Sequence, residues 1–328
     1  MKSNFKIIVL VFIIIVIAIF VYLINSRDVV EELPLAGTET SIKGCYVAHL
    51  EKDIYTLVIQ SEKDGAVTGA LAYNNYQKDS SSGSFTGTFK DNILLGIYSF
   101  DSEGMHSNSQ VIFKKVGDSF MQGFGTVKVV GDTSSIDPIS SVEYNPKSTF
   151  IKSENCLEKI TDSNNILTFD YNPFFKYVEG NNSPSFDWRL DSREPGAILA
   201  SVIIPRTYLP GTNFSDAKLT VGRATTPSAI KGCSTDVVNG EAKIGEVQIS
   251  DYPFTKFSSN GAAAGNFYET TSYRGIVDGD CYAVEYTIHS TNINNYSPDQ
   301  NIKEFNKTFI QDELEKIIQS LKFLINSD

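Results

Sequence analysis

The segment Ile7–Ile24 (IIVLVFIIIVIAIFVYLI) is an unbroken run of eighteen apolar residues. At about 1.5 Å per residue it would make a helix of roughly 27 Å, close to the hydrocarbon thickness of a bilayer. Twelve of the eighteen are Ile or Val, mediocre helix formers in water, but in lipid every backbone polar group must bond internally and a helix achieves this. Three readings compete. A cleaved signal peptide needs a shorter apolar core and a small-residue cleavage site, whereas this run exits through Tyr22-Leu23-Ile24-Asn25-Ser26-Arg27. A lipoprotein needs a small residue and Cys directly after the run; Gly44-Cys45 comes too late and follows Lys43. An uncleaved anchor fits best. Residues 1–27 are therefore expected to form a cytoplasmic end and transmembrane anchor, with the membrane as partner through residues 7–24.

Charge supplies the orientation. Lys2, Lys6 and Arg27 are the only charged residues in the first 27, while the remainder carries 25 basic against 39 acidic side chains. The positive-inside rule puts the N-terminus in the cytoplasm and the bulk of the chain outside, in the cell envelope. The acidic balance lacks the basic footprint of a nucleic-acid binder, so no nucleic acid is expected as partner. It also argues against a polytopic transporter and a wholly cytosolic protein. The four cysteines, Cys45, Cys156, Cys233 and Cys281, show no C-x-x-C and have no His at metal-ligand spacing. Outside the membrane they are expected to form two disulfides. Three connectivities are possible, of which Cys45–Cys156 with Cys233–Cys281 keeps each bridge within one proposed domain.

Residues 28–41 are polar, with Pro34 and Gly37, and read as a stalk. Over 42–130, strand-like segments recur about every ten residues, at 44–48, 54–59, 66–73, 84–89, 93–100, 109–113 and 120–125. Clusters of Gly, Asp, Ser and Asn separate them, a spacing that argues for an antiparallel β-meander closing into a small barrel. Gly69, Gly87, Gly96 and Gly123 fall within these segments, as tightly coiled barrel walls require. Residues 131–165 carry little periodicity and two prolines and read as a connector.

The last region, 166–328, reads as α+β. Strands are expected at 166–171, 198–204, 218–221, 267–274 and 281–288, with a helix-like or irregular stretch near 214–217. Ser297-Pro298-Asp299-Gln300 offers a helix N-cap with Pro at the first position and Gln three residues after the cap. Behind it Ile302, Phe305, Phe309, Ile310, Leu314, Ile317, Ile318 and Leu321 repeat at helical spacing. The order of an opening Phe169-Asp170-Tyr171 strand, Pro210–Val221, the Gly261–Asn266 loop before Tyr273-Arg274, and a helix ending in Ser320-Leu321-Lys322-Phe323 resembles the PsbP/Mog1-type domains. The resemblance covers 166–328 and implies an α/β/α sandwich serving as a non-catalytic binding or assembly module. A long insert around 172–196 and the Cys pair depart from the simplest members, so no ligand-binding residue is carried over. The first domain is similar to small envelope-lipoprotein barrels in architecture only.

Catalytic signatures are scarce. The sequence has no G-x-S-x-G, P-loop, H-E-x-x-H, EF-hand loop or GxGxxG. His49 and His289 fall on strands. Ser102, Glu103 and His106 lie within one hairpin-like segment and could pair a nucleophile with a base, though exposed loops contain the same residues. Asp278-Gly279-Asp280 and Asp79–Gly83 offer hard oxygen ligands without the spacing of a known metal loop and read as turns. Gly261–Asn266 reads as a connector rather than an anion cradle. Many of the 16 Tyr, including Tyr73, Tyr76, Tyr98, Tyr268, Tyr273, Tyr282 and Tyr286, fall on or near strands and are expected mostly at the rim of the core, whereas a row on one open face would suit glycan or peptide binding. No cofactor or metal is expected and no catalytic residue is assigned. The leading expectation is two non-catalytic modules that bind an unknown protein or envelope component. The alternatives are a calycin-like carrier of a small ligand, and an extracytoplasmic hydrolase using Ser102, Glu103 and His106.

Overall fold

Alternation of apolar and polar residues in the segments after Ile42 produces strands that can bury one face, and seven such strands form one antiparallel meander. In the computed structural model, which describes residues 41–324 except 77, 103–104, 155, 182 and 239, these are β1 (Gly44–Leu50), β2 (Asp53–Lys63), β3 (Ala66–Asn74), β4 (Ser81–Lys90), β5 (Ile93–Ser102), β6 (Met105–Val116) and β7 (Ser119–Phe124). After the hairpin of β8 (Val127–Val130) and β9 (Thr133–Ile136), β10 (Glu143–Ser153) pairs with β7 on one side and β1 on the other. With β5 paired to β6, eight strands close on themselves. The barrel expected from the spacing is present.

Closure brings walls together tightly. A Cβ at Gly69 would sit 1.9 Å from the carbonyl oxygen of Val58, and one at Gly96 would sit 2.6 Å from the Phe85 ring. Only glycine permits these approaches. Tyr46, Leu57, Leu71, Phe85, Phe113, Phe120 and Phe150 point inward and fill the depth of the barrel. The opposite faces of β2 and β3 are not solvated: Val58, Ala70 and Ala72 pack into the core of the next part of the chain.

That next part is a second antiparallel sheet. Its strands are β13 (Lys176–Glu179), β14 (Pro184–Ser185), β15 (Gly196–Pro205), β16 (Phe214–Ala224), β17 (Glu241–Ile249), β18 (Tyr252–Ala263), β19 (Asn266–Val277) and β20 (Asp280–Thr291), in the order β13-β15-β16-β20-β19-β18-β17, with β14 beside β15. A separate three-stranded sheet joins β11 (Glu158–Thr161), β12 (Leu167–Tyr171) and β21 (Lys322–Phe323). Helix α1 (Pro227–Gly232) is short; α2 (Lys307–Ser320) buries Ile310, Leu314, Ile317 and Ile318 against β12 and β20. The described residues from Ile42 onward form one compact unit.

Several expectations are corrected. The α+β reading with an α/β/α sandwich fails because the fold is mostly strand: only α1 and α2 are α-helices among the described residues, and one long helix cannot make two helical layers. Among the described residues no helix is long and apolar enough to cross a membrane; the expected anchor at 7–24 and the stalk at 28–41 lie outside or at the edge of them. Part of the presumed connector is β10. Its sequence, EYNPKSTFIKS, hides the strand because Pro146 falls where the pairing with β7 shifts register between Tyr144 and Thr149. The irregular stretch near 214–217 is the start of β16. The Ser297/Gln300 capping box forms, but it caps a single 3-10 turn that ends at Asn301 with φ of 50°. The α-helix starts later, on Asn306, whose Oδ1 accepts from the Phe309 N–H at 3.2 Å.

Of the three possible connectivities, Cys45–Cys156 and Cys233–Cys281 are formed, with Cα atoms 5.4 and 5.6 Å apart. The first bridges 111 residues and the second 48. In the loop-entropy picture a closed loop of about 100 residues contributes roughly 4–5 kcal/mol. Non-reducing peptide mapping should recover these two pairs and no free thiol. Replacing Cys45 and Cys156 together with Ser should lower the unfolding free energy by about 2–5 kcal/mol in denaturant titration.

Candidate ligand site

The barrel is filled at depth but not at one end. There the ends of β1, β3, β5 and β7 and the starts of β2, β4, β6 and β10 surround a cavity of about 630 Å³. Strand alternation sets its walls: Tyr55, Tyr73 and Tyr98 share the inward face with Leu57, Leu71 and Leu94 and stand at the rim end of each strand. Tyr55 and Tyr73 meet edge to face at 4.8 Å, Tyr73 and Tyr98 at 5.6 Å, and Tyr98 stacks on Phe100 at 4.6 Å. Tyr55, Tyr73, Tyr98 and Phe100 thus form a row that curves around the inside of the barrel mouth.

The polar tips of these rings are organised. Gln122 Nε2 donates to the Tyr73 hydroxyl at 2.7 Å, and the Tyr98 hydroxyl donates to Ser81 Oγ at 3.0 Å. Gln122 is 6% exposed, and its Oε1 has no hydrogen-bond partner. A buried amide oxygen without a donor is unfavourable by about 1–3 kcal/mol, so the site holds an unmet acceptor beside stacked aromatic faces. No charged side chain is among the described lining residues. Burial pushes the Tyr73 phenol well above its ordinary range, the neighbouring Tyr98 adding to the effect, and burial raises Tyr98 likewise. Both are neutral donors throughout the physiological range. The chemistry available is stacking and hydrogen bonding in an uncharged pocket.

The residues singled out from sequence lie elsewhere. Ser102 and His106 sit at the tip of the β5–β6 hairpin, Ser102 opposite Met105 and His106 opposite Asp101; Glu103 and the side chains at this tip are outside the described residues. His49 faces Glu158 at 3.4 Å. His289 is held between Asp216 Oδ2 and Asn266 Oδ1, both at 2.9 Å, and stacks on Tyr268. Asp280 in the acidic turn accepts from Arg223 Nε at 2.7 Å. Gly261–Asn266 belongs to the β18–β19 hairpin. No group of three or more His, Cys, Asp and Glu poised to hold a metal occurs among the described residues. Gln122 was missed, yet a signal existed: it lies in phase with Phe120 and Phe124 on an inward face, a polar residue where alternation calls for an apolar one.

No family model and no curated protein matches the chain.

The tyrosines make stability depend on alkaline pH. Burial, with Asp118 and Glu62 nearby, raises the Tyr46 hydroxyl from its ordinary value of 10 to about 12. It donates to the Ile42 carbonyl at 2.8 Å. Because the folded state holds this proton more tightly than the unfolded chain, its contribution is intact below pH 10 and is lost as pH rises from 10 towards 12. Chemical denaturation across that window should show a loss on the order of 2 kcal/mol from this group, and Tyr46→Phe should flatten the slope.

Proposed function

We propose that this chain is a non-catalytic extracytoplasmic binding protein, held at a membrane through residues 7–24, whose barrel mouth takes a small uncharged ligand with a flat apolar face and hydrogen-bonding groups. The observation that carries the reading is the cavity at the mouth of a barrel otherwise packed with Phe and Tyr, lined by Tyr55, Tyr73, Tyr98, Phe100 and Gln122, whose Oε1 has no protein donor. Cavities of a few hundred Å³ with apolar walls and a few converging polar groups are the usual form of small-molecule sites. Neutral walls favour neutral ligands, because a charged one would leave water with nothing to pair with. The apolar run and the two disulfides support the location: bridges of this kind persist in oxidising compartments. The acidic net charge of −11 makes a basic or cation-bridged partner more compatible than an anionic one.

A titration of the 28–328 chain with 1-naphthol and with its charged counterpart 1-naphthoate, followed by NMR of the tyrosine rings, tests this. The expected result is saturable shifts of the Tyr73 and Tyr98 rings with 1-naphthol and weaker ones with 1-naphthoate. Ser109→Trp, which fills the mouth, should abolish the shifts, and Gln122→Leu should weaken binding about three- to tenfold, the value of one hydrogen bond. Absence of ring shifts with the neutral probe, or shifts that persist in Ser109→Trp, would end the reading.

A further inference from the structure

The second sheet carries an unusual group of buried charges. Its face away from α2 is polar: Ser201 and Thr220 approach to 3.2 Å, and Thr270 and Thr287 to 2.8 Å. Over this face lies the segment leading from β14 to β15. Trp188, fully buried, anchors it. The indole fits a slot that two glycines create: a Cβ at Gly196 would lie 2.6 Å from the ring, and one at Gly222 would lie 2.4 Å from the Trp188 carbonyl oxygen. Its Nε1 donates to Ser192 Oγ and to the Glu194 carbonyl, both at 2.8 Å. The next peptide is also pinned, since the Leu190 N–H donates to Glu285 Oε1 at 2.8 Å.

Arg189 is held between these two fixed points. It is 8% exposed, its guanidinium lies 5.5 Å from the Trp188 ring, and neither Nε nor Nη1 has a hydrogen-bond partner. Glu285, 9% exposed, keeps Oε2 unpartnered as well. Arg189 shares a charged cluster with Arg274, Glu241, Glu285 and Asp236. Arg274 is ion-paired with Glu241 and donates to the Asp236 carbonyl at 2.8 Å and to Ser272 Oγ at 3.1 Å. Burial, then repulsion from Arg274, lowers the affinity of Arg189 for its proton, and burial raises the Glu285 carboxyl. The carboxylates of Glu241, Glu285 and Asp236 act on Arg189 in the opposite sense, but two buried N–H groups of its guanidinium remain without acceptors, which is unfavourable. Arg189 and Glu285 line a cleft of about 470 Å³, together with Lys218 on β16 and Asp187 and Asp191 on the covering segment.

We propose that this cleft is a second ligand site, built for a small zwitterion of the free amino acid or dipeptide type. Arg189 and Lys218 take the carboxylate, and Asp187 and Asp191 take the ammonium. A simple anion would meet the carboxyl groups of Asp187, Asp191 and Glu285 at the same walls, and a simple cation would meet two basic groups; a molecule carrying both charges satisfies both. The anchoring of Trp188 and Leu190 holds Arg189 in place before binding, which removes part of the ordering cost.

Trp188 is the only tryptophan in the chain, so its fluorescence reports on the site directly. The test titrates the 28–328 chain with the twenty free amino acids and alanyl-alanine, and with the N-acetyl and methyl-ester counterparts of whichever bind. Saturable change with at least one free zwitterion, weakened tenfold or more in both blocked forms, is the expected result. Arg189→Gln and the more exposed Lys218→Met should each weaken binding at least fivefold while leaving 1-naphthol binding at the barrel unchanged. That control also reports whether each variant is folded. No binding by any free zwitterion, equal binding by the N-acetyl form, or undiminished binding in Lys218→Met would overturn the proposal.

Discussion

Everything in this structure depends on one pairing, that of β10 with both β7 and β1. Seven strands in a meander leave two open edges, and a strand arriving from beyond the β8–β9 hairpin covers both. The seam is reinforced where it matters: Cys45 lies opposite Ser153 in the β1–β10 register, and Cys156, three residues further on, is bonded to it. Closure converts one face of every strand into an interior. Because that interior is narrow, large rings fill its depth and glycines allow the walls to approach; because the strands run past the filled layer, the mouth opens into a cavity.

The same strands have a second use. Ala70 and Ala72 on the outer wall are as buried as the residues inside, since the second sheet, β12 and α2 build their core against them. Small side chains there let the layers come close. Polar ties complete the contact, with Asn74 Nδ2 donating to the carbonyls of Pro173 and Phe175 at 2.8 and 3.0 Å, and Ser82 meeting Thr207 at 2.7 Å. The second sheet is in turn divided: its α2 side is apolar, and its other side is a hydroxyl-rich face on which Trp188 seats a covering segment. The barrel thus presents a neutral, aromatic cavity, and the second sheet a cleft carrying both signs of charge.

The seven strands of the meander were legible because each obeys a two-residue alternation bounded by turn residues, as in Phe85 to Phe89 or Leu94 to Phe100. β10 was not, because Pro146 and the bulge beside it break the alternation. The long helix was legible in its apolar stripe but not in its start: Ser297 and Gln300 satisfy every local rule for a cap, and the chain leaves the helical path at Asn301 because Asn213 Oδ1 draws in the Phe305 N–H at 2.9 Å and Phe305 packs on Phe214. The sandwich reading erred for a related reason, since an apolar stripe reveals that one helix face is covered without saying how many helices cover the sheet. Of the candidate site, the tyrosines were visible as strand residues, whereas their convergence and the role of Gln122 were not.

Local chemistry alone determined the strand periodicity of the meander, its turn positions and the separation of an apolar, basic first segment from an acidic remainder. These follow from short-range rules that act within a few residues. The tertiary structure decided which cysteines meet, where the barrel closes, that its mouth holds a cavity, and that Arg189 and Glu285 are buried in one charged cluster. Those properties belong to residues distant along the chain, and they arise only when closure of the sheets brings such residues to the same side of a wall.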